Sequence, residues 1–400
     1  MNTVAIICEY NPFHNGHKYQ IDKIREEFGN DTAIIAIMSG NYTQRGDIAI
    51  LDKAERASSA LESGANLVLE LPFPYSSASA EIFARAGVHI ANMIGNVDYL
   101  SFGSESGDID KLINTAKLMM SKEYNLRYNE LKAQKNLCHP ELCQLVLNSL
   151  SSDDLCVDLT PNNILAIEYI KALANSKSSI KPHTIKRMGS GYNDTITGSC
   201  TLQSATGIRN AVLDGDITAL DYVPYSTKNT ILNAMRDGKF PTNPEKLASV
   251  VISNLRLNSA PNDDIHDLGA GLYNRLRASS FKCVTIEQLV NLTETRKYTK
   301  ARIRRAIWYS LFGVTSSEIK AMPRYTQILA LDKVGMKKLK ERKNDEDFFI
   351  LTKPSNTAGL SEAALKQKTL ADKADSIYQL SKPTFTNGNN ALTLTPYVKK

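Results

Sequence analysis

Five short runs, residues 3–7, 32–38, 67–71, 97–102 and 182–188, alternate with segments of helical periodicity over the first half of the 400-residue chain. That alternation limits the fold more than any other feature. The first runs are rich in Val, Ile and Leu without in–out alternation, as strands covered on both faces must be. The stretches between them are long enough for crossover helices. A Rossmann-like, doubly wound parallel sheet of α/β class is therefore expected, with helices at 17–28, 53–61, 78–94 and 164–173. Residues 109–150 carry helical pattern and no strand signal, and read as an insertion.

Past Asp216 only helices are expected, at 227–236, 244–255, 264–278, 286–292 and 300–312. Runs at 327–331 and 348–351 around a helix at 334–342 suggest a small α+β unit, and the Asn/Thr-rich tail from 384 reads as irregular. Three regions follow: 1–215, a mainly helical 216–320, and 321–400.

In open α/β sheets ligands bind beyond the carboxyl ends of the strands, so the residues there carry the functional reading. The first such end is Cys8-Glu9-Tyr10-Asn11-Pro12-Phe13-His14-Asn15-Gly16-His17. Pro12 and Gly16 break the strand, and His17 shares a helical stripe with Ile21, Ile24 and Phe28, which puts it in the first turn of a helix. A helix start offers unpaired N–H groups and the positive end of the dipole to a phosphate. His14 and His17 can donate hydrogen bonds to phosphate oxygens as charge builds during attack at phosphorus. A bare H-x-x-H pair is more often an ordinary turn; its place directly after the first strand reverses that balance.

The later strand ends add candidates. Arg45 and Lys53 are possible phosphate contacts or plain surface charge, and Gly103 lets backbone approach a ligand. Asn162 or Asn163 is an N-cap or a ligand contact, both readings open. Arg187, beside Gly189 and Gly191, is placed to grip a triphosphate. Ser204, Thr206 and Arg209 open a second helix with two hydroxyls and a guanidinium, as possible phosphate-binding residues.

Charge divides the chain. Residues 1–215 hold 19 Lys+Arg against 24 Asp+Glu and the remainder 29 against 18, a balance of −5 and +11. The basic second half fits a polyanion. Arg302, Arg304 and Arg305, followed by Trp308 and Tyr309, combine guanidinium with aromatic faces, and residues 333–343 add six positive charges. Both suit phosphate tracking and base stacking on RNA. Six scattered cysteines form no disulfide framework, and Cys138, His139 and Cys143 lack a second ligand pair, so no metal site is expected. With no apolar run of 18 residues and no signal stretch, a cytoplasmic, membrane-free protein is expected, and no protein partner.

Several blocks in one order, the Glu9 to His17 motif, Met38 to Gly46, Leu69-Glu70-Leu71-Pro72-Phe73, Phe102-Gly103-Ser104-Glu105, Asn162-Asn163-Ile164-Leu165 and Ser204-Ala205-Thr206, resemble the bacterial tRNA(Met) cytidine acetate ligases. The His-x-Gly-His element is similar to the HIGH motif of nucleotidylyltransferases. The resemblance implies an ATP-dependent ligase that makes acetyl-adenylate and passes acetyl to N4 of the wobble cytidine of elongator tRNA(Met). Its ATP site would carry over to Ile7, Cys8, Glu9, Tyr10, Asn11, Pro12, Phe13, His14, Asn15, Gly16, His17, Lys18, Tyr19 and Gln20, with Gly103, Asn162 and Arg187. Residues 1–215 would then be the catalytic domain and 216–320 the tRNA-binding domain, with Arg302, Arg304 and Arg305 as RNA contacts. Asn193, where histidine is expected, and Gly207 depart from the family pattern. Mg²⁺ is expected to arrive with ATP. The alternatives are an adenylyltransferase acting on a small phosphate ester, for which the first half would suffice, and a non-catalytic RNA-binding protein, which would leave the His pair without a role.

Overall fold

A computed structural model describes residues 1–134, 137, 139–151, 155–187, 203–258, 264–342, 346–384 and 393–399. Strand β1 (Thr3–Cys8) lies at the centre, paired in parallel with β2 (Ala33–Ser39) on one side and β4 (Tyr99–Ser104) on the other. Parallel β3 (Leu67–Leu71) and β5 (Lys181–Lys186) extend it to the order β5-β4-β1-β2-β3. Every residue of β2 and β3 is buried, which is why neither run alternates. Helices cover both faces: Asn15–Phe28 and Lys53–Glu62 on one, Ala80–Ile94 and Pro161–Asn175 on the other. The insertion folds as helices Ile109–Met119, Lys122–Gln134 and His139–Leu150.

The C-terminal strands do not form a sheet of their own. β6 (Tyr325–Leu331) runs antiparallel against β3, and β7 (Phe349–Leu351) and β8 (Tyr397–Val398) pair with β6. An apolar β3 left as an edge would expose unpaired N–H and C=O groups, and β6 closes that edge. The tail expected to be irregular thus ends in a short strand.

Helix Glu362–Tyr378 was not anticipated. Half of its buried stripe is alanine, Ala364, Ala371 and Ala374, and the rest is Lys368, Asp375 and Tyr378, so its apolar periodicity is faint in the sequence. It carries Asp375 to Lys53, which also bonds Glu70 at 2.7 Å. Lys53 is therefore no phosphate contact. Burial alone would discharge it, but Asp375 and Glu70 outweigh that and hold it charged.

Residues 216–320 contain no strand among those described; helices Ala248–Leu257, Ala270–Ser280, Ile286–Thr293 and Lys300–Phe312 pack together. Their core is continuous with that of the sheet, running from Ile7, Phe83 and Phe102 through Leu276 and Ile307 to Tyr378. No helix among the described residues is long and apolar enough to cross a membrane.

Candidate active site

Beyond Cys8 the chain turns through Tyr10, held at φ 48°, into helix Asn15–Phe28. The two histidines cap that helix reciprocally. The Gly16 backbone N–H donates to His14 Nδ1 at 3.0 Å, and the His14 N–H donates to His17 Nδ1 at 3.2 Å. A capping box normally uses a hydroxyl and a carboxylate; here imidazoles serve both ends. Because each Nδ1 accepts, the proton of each neutral ring sits on Nε2, leaving two N–H donors fixed in direction. The rings stack with centroids 3.8 Å apart, and Phe13 and Tyr10 pack on His17. Gly16 is required by this packing, since a Cβ there would lie 2.8 Å from His14 Cε1.

Burial, with Arg187 and Arg209 nearby, pushes His14 down to about 3, and burial with His14 and Arg187 lowers His17 as well. Both rings are thus neutral donors at pH 7. The sign for stability follows: their contribution is complete above 6.5 and is lost as pH falls from there towards 3. In a histidine NMR titration His14 and His17 are expected to keep neutral ring shifts at pH 5.5. A midpoint near 6.5 for both would contradict the capping arrangement.

The rings border a cavity of about 200 Å³ lined by Ile7, Cys8, Glu9, Tyr10, Asn11, Gln20, Gly103, Asn162, Arg187, Ser204, Thr206 and Arg209. Gly16 and Tyr19 line an adjoining lobe with Gly103 and Ile185. Pro12, Phe13, Asn15 and Lys18 do not line either: Phe13 is buried beneath the rings, and Lys18 pairs with Asp22. Gly103 makes room for Arg187, whose Cγ would be 3.1 Å from a Cβ there. Gly189, Ser190, Gly191, Tyr192 and Asn193 lie outside the described residues, as do Cys138, Cys200 and Lys343.

Neither asparagine is an N-cap: Thr160 holds that position, and Asn162 and Asn163 lie in the first turn of helix Pro161–Asn175. Asn163 is buried, and its Oδ1 accepts from the N–H groups of Glu105 and Ser106, which fixes the turn after β4. Asn162 lines the cavity instead, its side chain donating to Glu105 at 2.6 Å. Burial raises the Glu105 carboxyl, but hydrogen bonds from Asn162 and Thr160 outweigh this and keep it below its usual range.

Helix Ala205–Leu213 begins at the cavity wall, with Ser204 capping Gly207 N–H at 3.1 Å. Arg209 reaches back to the Asn11 carbonyl at 2.8 Å and to the Thr206 hydroxyl at 3.2 Å, so it braces the histidine turn. Arg45 lines the cavity as well. Two residues escaped notice in the sequence. Arg56, fully buried, donates to the carbonyls of Glu9, Ser39 and Gly40, tying the ends of β1 and β2 together. Tyr169, whose ring packs against Phe102, lines the cavity with the apolar Phe83, Phe102 and Leu165, and its hydroxyl has no hydrogen-bond partner among the described residues.

Arg302, Arg304 and Arg305 do not form an open patch. Arg302 pairs with Asp267, and Arg304 with Asp47 and Glu287. Arg305 is buried and donates to the Gln44 carbonyl at 3.2 Å, while Trp308 Nε1 donates to Gly46 O at 2.6 Å. Arg304, Arg305 and Trp308 thus face the loop of residues 43–47, whose Thr43, Gln44, Arg45 and Asp47 border the cavity.

Comparison with known proteins agrees with this geometry. A family model described as HIGH Nucleotidyl Transferase matches residues 1–391. A curated tRNA(Met) cytidine acetate ligase from Thermoanaerobacter sp. (strain X514) is 34% identical over 389 residues, covering 95% of this chain and 96% of that one. Another of that name, from Clostridium acetobutylicum, is 36% identical over 376 residues, covering 89% and 91%. The crystal structure of Thermotoga maritima TmcAL bound with alpha-thio ATP superposes with a TM-score of 0.89 at 27% identity over 100% of both chains. The apo form of that protein gives 0.90 at 28%, over 100% of this chain and 99% of the other. A HIGH-type histidine turn on a sheet of this order, matched along nearly its whole length, places the chain in the HIGH nucleotidyl transferases, within the tRNA(Met) cytidine acetate ligase family.

Proposed function

We propose that the protein activates acetate with ATP and transfers the acetyl group to N4 of the wobble cytidine of elongator tRNA(Met). In the first step an acetate oxygen attacks the α-phosphorus, the bond to pyrophosphate breaks, and acetyl-adenylate forms. In the second, the cytidine N4 attacks the acetyl carbonyl, AMP leaves, and N4 loses a proton. The observation that carries this reading is the pair of Nε2–H donors at a helix start, both pinned through Nδ1 and facing the cavity with Arg187. Attack at phosphorus needs alignment and charge stabilisation more than a protein nucleophile. The start of helix Ala205–Leu213 offers further N–H groups to the triphosphate.

Among the described residues no group of three His, Cys, Asp or Glu is arranged to hold a metal. On charge grounds we assign Mg²⁺ to the triphosphate, where it would neutralise charge on the leaving pyrophosphate. The apolar lining of Phe83, Phe102 and Leu165 suits a methyl group, with the Tyr169 hydroxyl donating to the carboxylate. Tyr169→Phe is expected to raise KM for acetate roughly tenfold or more while leaving KM for ATP alone, since a hydrogen bond to a charged group is worth about 1.5–3 kcal/mol. A rise in KM for ATP instead would assign that lining to the nucleotide.

The test of the whole reading is incubation with ATP, Mg²⁺, labelled acetate and bulk tRNA. Label is expected on cytidine of tRNA(Met), with acetate-dependent exchange of pyrophosphate into ATP in the absence of tRNA. No exchange with any small carboxylic acid would overturn it.

A further inference from the structure

With the arginines of helix Lys300–Phe312 engaged in ion pairs and backbone contacts, the basic character of the second half needs another outlet. Residues 246–262 and 268–286 contain basic side chains and no Asp or Glu. The two segments meet where Arg256, on helix Ala248–Leu257, donates to the carbonyls of Ser280 and Cys283 at the end of helix Ala270–Ser280. At that junction Phe281 is 58% exposed, and Leu257, next to Arg256 in the chain, and Val284, three residues past Phe281, are 81% and 75% exposed. The guanidinium groups of Arg256 and Arg277 lie 5.5 and 5.6 Å from the Phe281 ring centroid. Neither of them, nor Lys282, forms an ion pair with a carboxylate among the described residues, unlike Arg302 and Arg304.

A half-exposed phenyl ring is costly in water unless something covers it, and single exposed apolar residues are common enough to mean little. Here three belong to the two segments that meet at this junction, where Arg256 and Arg277 lie against Phe281 and form no ion pair among the described residues. Aromatic and guanidinium planes stack nucleobases, and the same cations neutralise phosphates on either side. We propose that Phe281, Arg256, Arg277 and Lys282 form an RNA-binding site that stacks an unpaired base of the tRNA substrate. The site rests on the tRNA reading above but lies outside the cavity.

The test measures binding of unmodified tRNA to the full chain across a salt series. Phe281→Ala is expected to weaken binding about tenfold with the salt slope unchanged, because base stacking is lost and no charge is removed. Phe281→Trp should restore it. Arg277→Gln with Lys282→Gln should lower the slope of log K against log salt by about 0.7 to 0.9 for each cation removed. Acetate-dependent pyrophosphate exchange should stay at the wild-type rate in all of them. Wild-type affinity and slope in both the alanine and the glutamine variants would overturn the site. So would a change of oligomeric state on Phe281→Ala with tRNA binding intact, which would mark a contact between copies of the chain. Failure of wild-type protein to bind any tRNA would instead overturn the tRNA reading itself.

Discussion

His17→Ala is expected to lower acetate-dependent pyrophosphate exchange by about 100-fold or more, the usual cost of removing one preorganised transition-state donor. The structure adds that each histidine is also half of a helix cap, so the substitution must be chosen to separate the two roles. His14→Ala would cost about 1 kcal/mol of stability by losing the cap. His14→Asn keeps a side-chain acceptor for the Gly16 N–H but has no group in the place of Nε2. It should therefore melt near the wild-type temperature while exchange collapses. Near wild-type exchange in both His14→Asn and His17→Ala would remove these rings from the chemistry and leave them as caps.

The second large effect lies on the far side of the cavity. Trp308→Phe is expected to reduce exchange by roughly 10- to 100-fold, although Trp308 belongs to the helical region and touches no nucleotide site directly. Its indole donates to Gly46 O, Arg305 to Gln44 O, and Arg304 pairs with Asp47, so one helix holds the whole loop that borders the cavity. Loss of the indole N–H leaves a buried carbonyl unpaired, worth about 1–3 kcal/mol. An error of about 1 Å in placing an active-site loop can cost about 100-fold in rate. Gly46→Ala tests the same contact from the other side: φ is +82°, and a Cβ would lie 2.6 Å from Arg304 Cβ and from the Arg305 backbone N. It should be at least as damaging. If both variants exchange pyrophosphate at the wild-type rate, the helical region does not position the loop. The expectation that the first half activates acetate on its own would then stand.

Much of this was legible in the residues. The parallel sheet followed from strands whose apolar runs do not alternate, and the histidine turn from its position at the end of the first strand. Gly103, Arg187, Ser204, Thr206 and Arg209, which line the cavity, stand at turns and helix starts that leave local marks in sequence, whereas Asn162 was separated from Asn163 only by the family resemblance. What misled was charge. Lys53 and the arginines of residues 302–305 looked like ligand contacts because a sequence shows that a cation is present and not what neutralises it.

The sequence by itself determined the strands and covering helices of the first half, their order and the type of turn that holds the histidines, because hydrophobic period, Pro12, Gly16 and helix-start chemistry act over a few residues. Only the tertiary structure decided which cations face ligand and which are spent within the protein. Asp375 reaches Lys53 across more than 300 positions, Trp308 reaches Gly46 across more than 250, and β6 joins β3 from the far end of the chain. Such pairings depend on which apolar faces meet in one continuous core, and no local pattern records them.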